Sequence, residues 1–209
     1  TDNQDDIIFV STDVNSGEGY FTNFGKTRNK GVDIQLNQKI NQFAINASYS
    51  HLMATYEETG LLFGERSIQA KPGMRVAGIP ENIFRLGIDW IPNEKLKIGM
   101  SLLATSDLIT QGNEDGQIGG DDSVIAKDAS VDGYTVINLN AKFEPFNELT
   151  LFARVTNLFD STFETYGAMA ESAFNSSGGY VDENSGPTIS KFVAPGAPRG
   201  FFVGLNYKF

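Results

Sequence analysis

The chain has 209 residues with 22 Gly, 16 Phe and 7 Tyr, but only 1 Trp, 1 His and no Cys, a strand-and-turn composition rather than a helical one. The lack of cysteine excludes thiol catalysis, disulfides and thiolate metal sites, and a formal net charge of -10 without a basic run excludes electrostatic binding of nucleic-acid phosphates. No apolar stretch reaches the roughly 18 residues of a membrane-spanning helix, which leaves open spanning strands of ~9–11 alternating residues.

In chain order, the opening "TDNQDD", without Met or a signal peptide, reads as a mature chain or a piece of one. A weak strand is predicted around Ile7 to Val10. In "GVDIQLN", Val32, Ile34 and Leu36 alternate with Asp33, Gln35 and Asn37; in "FAINASY", Phe43, Ile45, Ala47 and Tyr49 alternate with Ala44, Asn46 and Ser48. "FRLGIDW" opposes Phe84, Leu86, Ile88 and Trp90 to Arg85, Gly87 and Asp89, and "LKIGMSL" opposes Leu96, Ile98, Met100 and Leu102 to Lys97, Gly99 and Ser101. "INLNAKF" and "LTLFARV" set Ile137, Leu139, Ala141, Phe143, Leu149, Leu151, Ala153 and Val155 against Asn138, Asn140, Lys142, Thr150, Phe152 and Arg154. The chain ends on "RGFFVGLNYKF", where Phe201, Val203, Leu205, Tyr207 and Phe209 share one apolar face. Period-two alternation marks half-buried strands, about eight in all.

The connections carry further information. Short links at 38–42, 91–95 and 144–148 contain Asn and, in two cases, Pro92 or Pro145, and read as hairpins. Between them stand long Gly-, Asp- and Ser-rich stretches at 12–29, 57–80, 111–132 and 160–198. An up-and-down meander then has every short turn at one end and every long loop at the other. Alternation alone suits a soluble barrel or sandwich as well. The asymmetry of the ends instead favours an outer-membrane barrel, with Phe43, Trp90, Phe143, Tyr207 and Phe209 as an aromatic girdle on the short-turn side. An apolar strand running to the last residue fits a closing strand solvated by acyl chains.

Ordered motifs sharpen this. "NKGVDIQL", "ASYSHLMATYEETG", "AGIPENIFRLGIDWIPNEKLKIG", "DGYTVINLNAKFEPFNELTLFARVTNLFDSTFETYG" and "PGAPRGFFVGLNYKF" resemble, in the family's order, the C-terminal part of a TonB-dependent receptor. Most specific are Asn157-Leu158-Phe159-Asp160 followed by Tyr166, and Pro195-Gly196 through Pro198-Arg199; Gly78-Ile79-Pro80 is a further match. The resemblance implies an all-β, antiparallel, up-and-down transmembrane barrel segment spanning residues 1–209, without a plug domain, from a larger plugged barrel of about 22 strands. It also implies non-enzymatic uptake of a scarce ligand (a ferric siderophore first, then a cobalamin or a sugar) across the outer membrane of a Gram-negative bacterium. The implied partners are TonB through a missing N-terminal part, the plug and remaining barrel strands, outer-membrane lipid and lipopolysaccharide, and the barrel assembly machinery. Leu205, Tyr207 and Phe209 resemble the signal which that machinery reads. No cofactor is implied. The alternative is a self-contained small barrel with a structural or adhesive role.

Individual side chains add modest expectations. Phe174 and Tyr180 in the longest loop, with Tyr166 before them, are the aromatic candidates for ligand contact, although ordinary loop composition explains them equally well. His51, the single histidine, reads as an interfacial side chain, since catalysis needs an oriented set of partners. Glu114, Asp115, Asp121 and Asp122 lack calcium-loop spacing and read as a solvated acidic loop. Asp33, Arg85, Asp89, Lys97, Lys142 and Arg154 mix signs on the polar face, where pairing with one another is expected in preference to pairing with a plug. Two Asn-X-Ser sequences, at Asn46 and Asn175, are discounted as glycosylation sites, the first because it lies within a strand.

Overall fold

Period-two alternation becomes a single antiparallel meander. The computed structural model describes residues 2–11, 19–62, 68–116, 130–174, 177–180 and 188–209. The strands are β1 (Asp2–Ser11), β2 (Gly19–Ile40), β3 (Phe43–Tyr56), β4 (Gly60–Leu62), β5 (Ile68–Ala70), β6 (Asn82–Asn93), β7 (Leu96–Thr105), β8 (Leu108–Ile109), β9 (Ser130–Val131), β10 (Tyr134–Phe146), β11 (Leu149–Thr156), β12 (Glu164–Ser172), β13 (Thr188–Pro195) and β14 (Gly200–Tyr207). Eight of them form one sheet in the order β1-β2-β3-β6-β7-β10-β11-β14, and β4–β5, β8–β9 and β12–β13 make three small two-stranded ribbons at the long-loop end.

The expectations for the long loops need correction, beginning with the β4–β5 ribbon inside 57–80 and β9 inside 111–132. The stretch 12–29 is not a loop throughout: β2 is 22 residues long and its half from Gly19 to Arg28 is laddered to β1. Likewise, 160–198 contains the β12–β13 ribbon. Asn, Gly and Lys dilute the side-chain signal in these stretches, whereas ladder hydrogen bonds depend only on the backbone.

The short turns explain the register. Asn41 and Gln42 link the pair Ile40–Phe43, with Asn41 at a left-handed φ of 51°, a conformation Asn tolerates better than most residues. Pro92 and Pro145 sit where the ladder slips, between Trp90 and Asn93 and between Phe143 and Phe146. A bulge accommodates a residue without an N–H. Asn93 Oδ1 then accepts from the amides of Lys95 and Leu96, at 2.9 and 3.1 Å, closing the second turn. Each turn is tied to the next strand, the last through Lys208 N donating to Glu148 O at 2.9 Å. Pairing thus reaches the penultimate residue.

Directly opposed residues share a face. Phe43, Trp90, Ile98, Ala141, Ala153 and Val203 form one continuous row across β3, β6, β7, β10, β11 and β14. This face is apolar and open: Phe43, Trp90, Phe143, Leu205 and Tyr207 are all exposed. Gln35, Ser48, Arg85 and Leu103 make a row on the opposite face. That face is concave, enclosing a groove of about 490 Å³ lined by Asn37, Asn46, Ser101 and Asn138 among others. Conventional burial among the described residues lies at the long-loop end, where Tyr56, Leu62, Ile68 and Ala70 cluster with Met74 and Val76. The sheet is therefore apolar outside and polar inside, the arrangement a bilayer demands. Among the described residues β1 and β14 are not paired with each other, so these strands do not close a barrel by themselves.

Candidate functional site

The concave face carries the predicted charges, and it only partly pairs them with one another. Lys97 Nζ lies 2.9 Å from Asp89 Oδ2 on the neighbouring strand, and Lys142 turns to Glu144 at 2.9 Å. Gly99 makes the first arrangement possible, since a Cβ there would stand 2.6 Å from Asp89 Oδ1 and 2.7 Å from the Asn140 amide. Asp33, Arg85 and Arg154 form no hydrogen bond or ion pair among the described residues, and the register puts no opposite charge beside them within this sheet. Arg85 lines the groove next to Ser48 and Ser101. Two aromatic residues also face inward, Phe152 over Gly204 and Phe202 beside Gly200.

The long-loop end holds the aromatic candidates. Phe174 and Tyr180 meet edge to face, centroids 6.4 Å apart, at the exposed tip beyond β12. Tyr166 is elsewhere: its hydroxyl bonds Gln111 Oε1, and its ring lies 3.5 Å from where a Cβ on Gly78 would be. Backbone bonds Gln111 N to Gly167 O (3.0 Å) and Met169 N to Gln111 O (2.7 Å) dock β12 onto the preceding loop. The structure therefore joins two of the three candidates and gives the third a packing position. In the acidic loop, the Glu114 carboxylate accepts from Gly112 N at 3.1 Å; Asp121 and Asp122 lie outside the described residues, as do Asn175 and Ser176. Among the described residues no group of three acidic or imidazole side chains is placed to hold a metal.

His51 sits with Tyr49 on the convex face. Asn82 Oδ1 accepts from the Tyr49 hydroxyl at 2.7 Å and stands 3.0 Å from His51 Nδ1. The role of Asn82 escaped the sequence reading, because its position at the mouth of β6 looks like a turn residue. Arg75 escaped for the same reason; it bridges Glu81 at 3.0 Å and Asp107 at 3.3 Å.

At the C-terminal strand, Leu205 and Tyr207 pair with Leu151 and Leu149, and the ring of Phe209 meets that of Tyr207 edge to face at 5.2 Å. The start of this strand is held by Asn157. Its Nδ2 donates to the carbonyls of Ser161 (2.9 Å) and Ala197 (3.1 Å), and its Oδ1 accepts from Ser161 N (3.0 Å). Asp160 Oδ1 accepts from Arg199 N at 2.9 Å. The two most specific motifs are thus halves of one clip.

Comparison with known proteins accords with this geometry. Residues 2–158 match the family model described as TonB dependent receptor-like, beta-barrel. No curated protein matches the sequence. Among solved structures, the siderophore receptor PiuA from Acinetobacter baumannii aligns with a TM-score of 0.68 at 14% identity, covering 100% of this chain and 25% of that one. The closed form of the ferric-catecholate import receptor Fiu from E. coli K12 gives 0.60 at 19% identity, covering 100% and 24%. The ferric yersiniabactin uptake receptor FyuA from Yersinia pestis gives 0.61 at 14%, covering 91% and 25%. The chain spans about a quarter of the length of these receptors, and at such identities the likeness establishes the fold. With a family model matched over most of its length and an open meander of the same fold, the chain belongs to the TonB-dependent receptor β-barrel family.

Proposed function

We propose that residues 1–209 are the C-terminal part of the barrel of a Gram-negative outer-membrane receptor that imports a scarce ligand with energy supplied through TonB. The observation that carries this reading is the inversion of the sheet: an exposed apolar convex face, a polar concave face and all long loops at one end, in a chain whose residues 2–158 match the family. A ferric siderophore is the first candidate cargo, ahead of cobalamin or a sugar, because Fiu, PiuA and FyuA are described as ferric-catecholate, siderophore and ferric yersiniabactin receptors. Phe174 and Tyr180 at the exposed tip form the ligand-facing aromatic pair, and Tyr166 supports the loop beneath them. The plug, the remaining strands and TonB are the partners of the whole receptor; Leu205, Tyr207 and Phe209 address the assembly machinery. The barrel performs no covalent chemistry.

The test is an immunoblot of the outer-membrane fraction with an antibody to "GLNYKF", combined with uptake of labelled ferric siderophores by cells with and without the gene. A native chain several times longer than 209 residues, and iron uptake that disappears with both the gene and TonB, are the expected results. A native chain of this size would sink the receptor reading.

A further inference from the structure

The root of the β12–β13 ribbon encloses a cavity of about 310 Å³, apart from the aromatic tip and from the concave groove. It is lined by Asp132, Tyr134, Thr162, Phe163, Glu164 and Lys191. The link from β9 into β10, the link into β12, and β13 meet there. Two close approaches set its walls. A Cβ on Gly133 would collide with the Thr105 carbonyl, so only glycine lets this link press onto the end of β7. A Cβ on Gly196 would enter the Phe163 ring, which therefore lies directly on that backbone, its centroid 4.4 Å from that of Tyr134. The polar groups divide into those used and those left over. Lys191 Nζ donates to Ser130 O at 3.2 Å and faces Glu164 Oε2 at 3.5 Å. An ammonium has three hydrogens, so one remains. Glu164 Oε1, the Asp132 carboxylate and the hydroxyls of Tyr134 and Thr162 make no hydrogen bond among the described residues.

We propose that this cavity binds a neutral pyranose sugar. The groups around it select among ligands. An anion would meet the carboxylates of Asp132 and Glu164, while the one cation, Lys191, is already paired. An organic cation would suit the carboxylates and leave the third Lys191 hydrogen without an acceptor. A bare metal ion would leave the rings unused. A sugar answers every group: its hydroxyls donate to the carboxylates and accept from Lys191, and the C–H face of its ring covers the wall made by Tyr134 and Phe163. The volume stands at the low end of ligand sites, ~300–1,000 Å³, and so suits one ring rather than a chain of them. Lys191 is largely buried and tied at two points, so its remaining hydrogen is aimed before the ligand arrives. The site goes beyond the iron-import reading, because it adds a recognition surface at the root of the ribbon whose far end carries Phe174.

The native full-length chain, purified in detergent, is titrated calorimetrically with glucose, galactose and mannose, with glucuronate as an anionic sugar and with choline as an organic cation. Saturable binding of at least one hexose is expected, with glucuronate weaker because Asp132 and Glu164 repel it. Asp132→Ala removes a carboxylate that holds nothing else among the described residues. It should keep its folded mobility in unheated gels and weaken hexose binding about tenfold, the share of a hydrogen bond to a charged group. Tyr134→Phe, which keeps the ring, should weaken it about threefold, and Phe174→Ala at the tip should leave it unchanged. If no hexose saturates, or if Asp132→Ala binds like wild type, the site is overturned. Choline or glucuronate bound more tightly than every hexose overturns the neutral sugar. A native chain of only 209 residues would defeat the receptor reading independently, because the titration still reads the cavity.

Discussion

The side chain of Asn157 holds the end of β11 to the start of β14, its Nδ2 donating to the carbonyl of Ala197 40 residues away, at 3.1 Å. The residue is buried and has a left-handed φ of 48°. Asn157→Ala removes the amide, strands the Ser161 and Ala197 groups and strains the backbone. A loss of about 2 kcal/mol or more is expected, read as a lowered urea midpoint of the full-length receptor in lipid vesicles. Asn157→Gly keeps the φ and isolates the hydrogen-bonding share, so it should fall between wild type and Asn157→Ala; equality of all three would remove the clip from the account.

A second constraint lies lower on the same strand pair. Gly204 opposes Phe152, whose ring occupies the place a Cβ on Gly204 would take. Gly204→Val should therefore slow assembly, seen as a smaller fraction with folded mobility in unheated gels. Phe152→Ala in the same chain should restore much of that fraction. Without rescue in the double mutant, the glycine would have to matter for a reason other than the ring.

These two contacts show what could be read in the sequence. The apolar alternation through Phe43, Trp90 and Ile98 is a property of single strands and shows the two faces, and the alternation of short and long connections shows the asymmetry of the ends; the register appears only in the structure. The Asn157 clip, the Phe152 ring over Gly204 and the Asn82 junction depend on side chains brought together from distant positions, and local periodicity carries no information about those. Lengths were misread where pairing, not composition, decides: Gly19 to Arg28 looks like loop and is strand because β1 lies beside it. Phe174 and Tyr180 stand out by composition alone, and the isolated antiparallel bridge between them sets their rings edge to face. Tyr166, the third aromatic of the same long stretch, lies on β12 with its hydroxyl bonded to Gln111.

The assignment of the two faces makes a sharp contrast between neighbours. Ile45 lies on the convex row opposite Ile88, and Asn46 on the concave row opposite Gly87. Ile45→Arg places a charge against lipid and should destabilise the receptor in vesicles by about 2–4 kcal/mol. Asn46→Arg, facing the groove, should cost little. Urea titration of both distinguishes the faces, and a reversed order would turn the sheet inside out.

The loop tip offers the last test. Phe174 and Tyr180 touch each other and are otherwise exposed, so truncating either removes little packing. If they form the ligand-facing pair, Phe174→Ala and Tyr180→Ala should each weaken binding of the imported ferric siderophore roughly three- to tenfold, the range an aromatic contact supports, while leaving the unfolding midpoint in place. Tyr166→Phe should do the reverse: it removes the hydroxyl contact to Gln111 and loosens the loop, read as faster proteolysis of the 160–198 region, with ligand affinity less affected. Wild-type affinity in both tip variants would return Phe174 and Tyr180 to ordinary loop residues and move the search for the ligand contact to the concave face around Arg85.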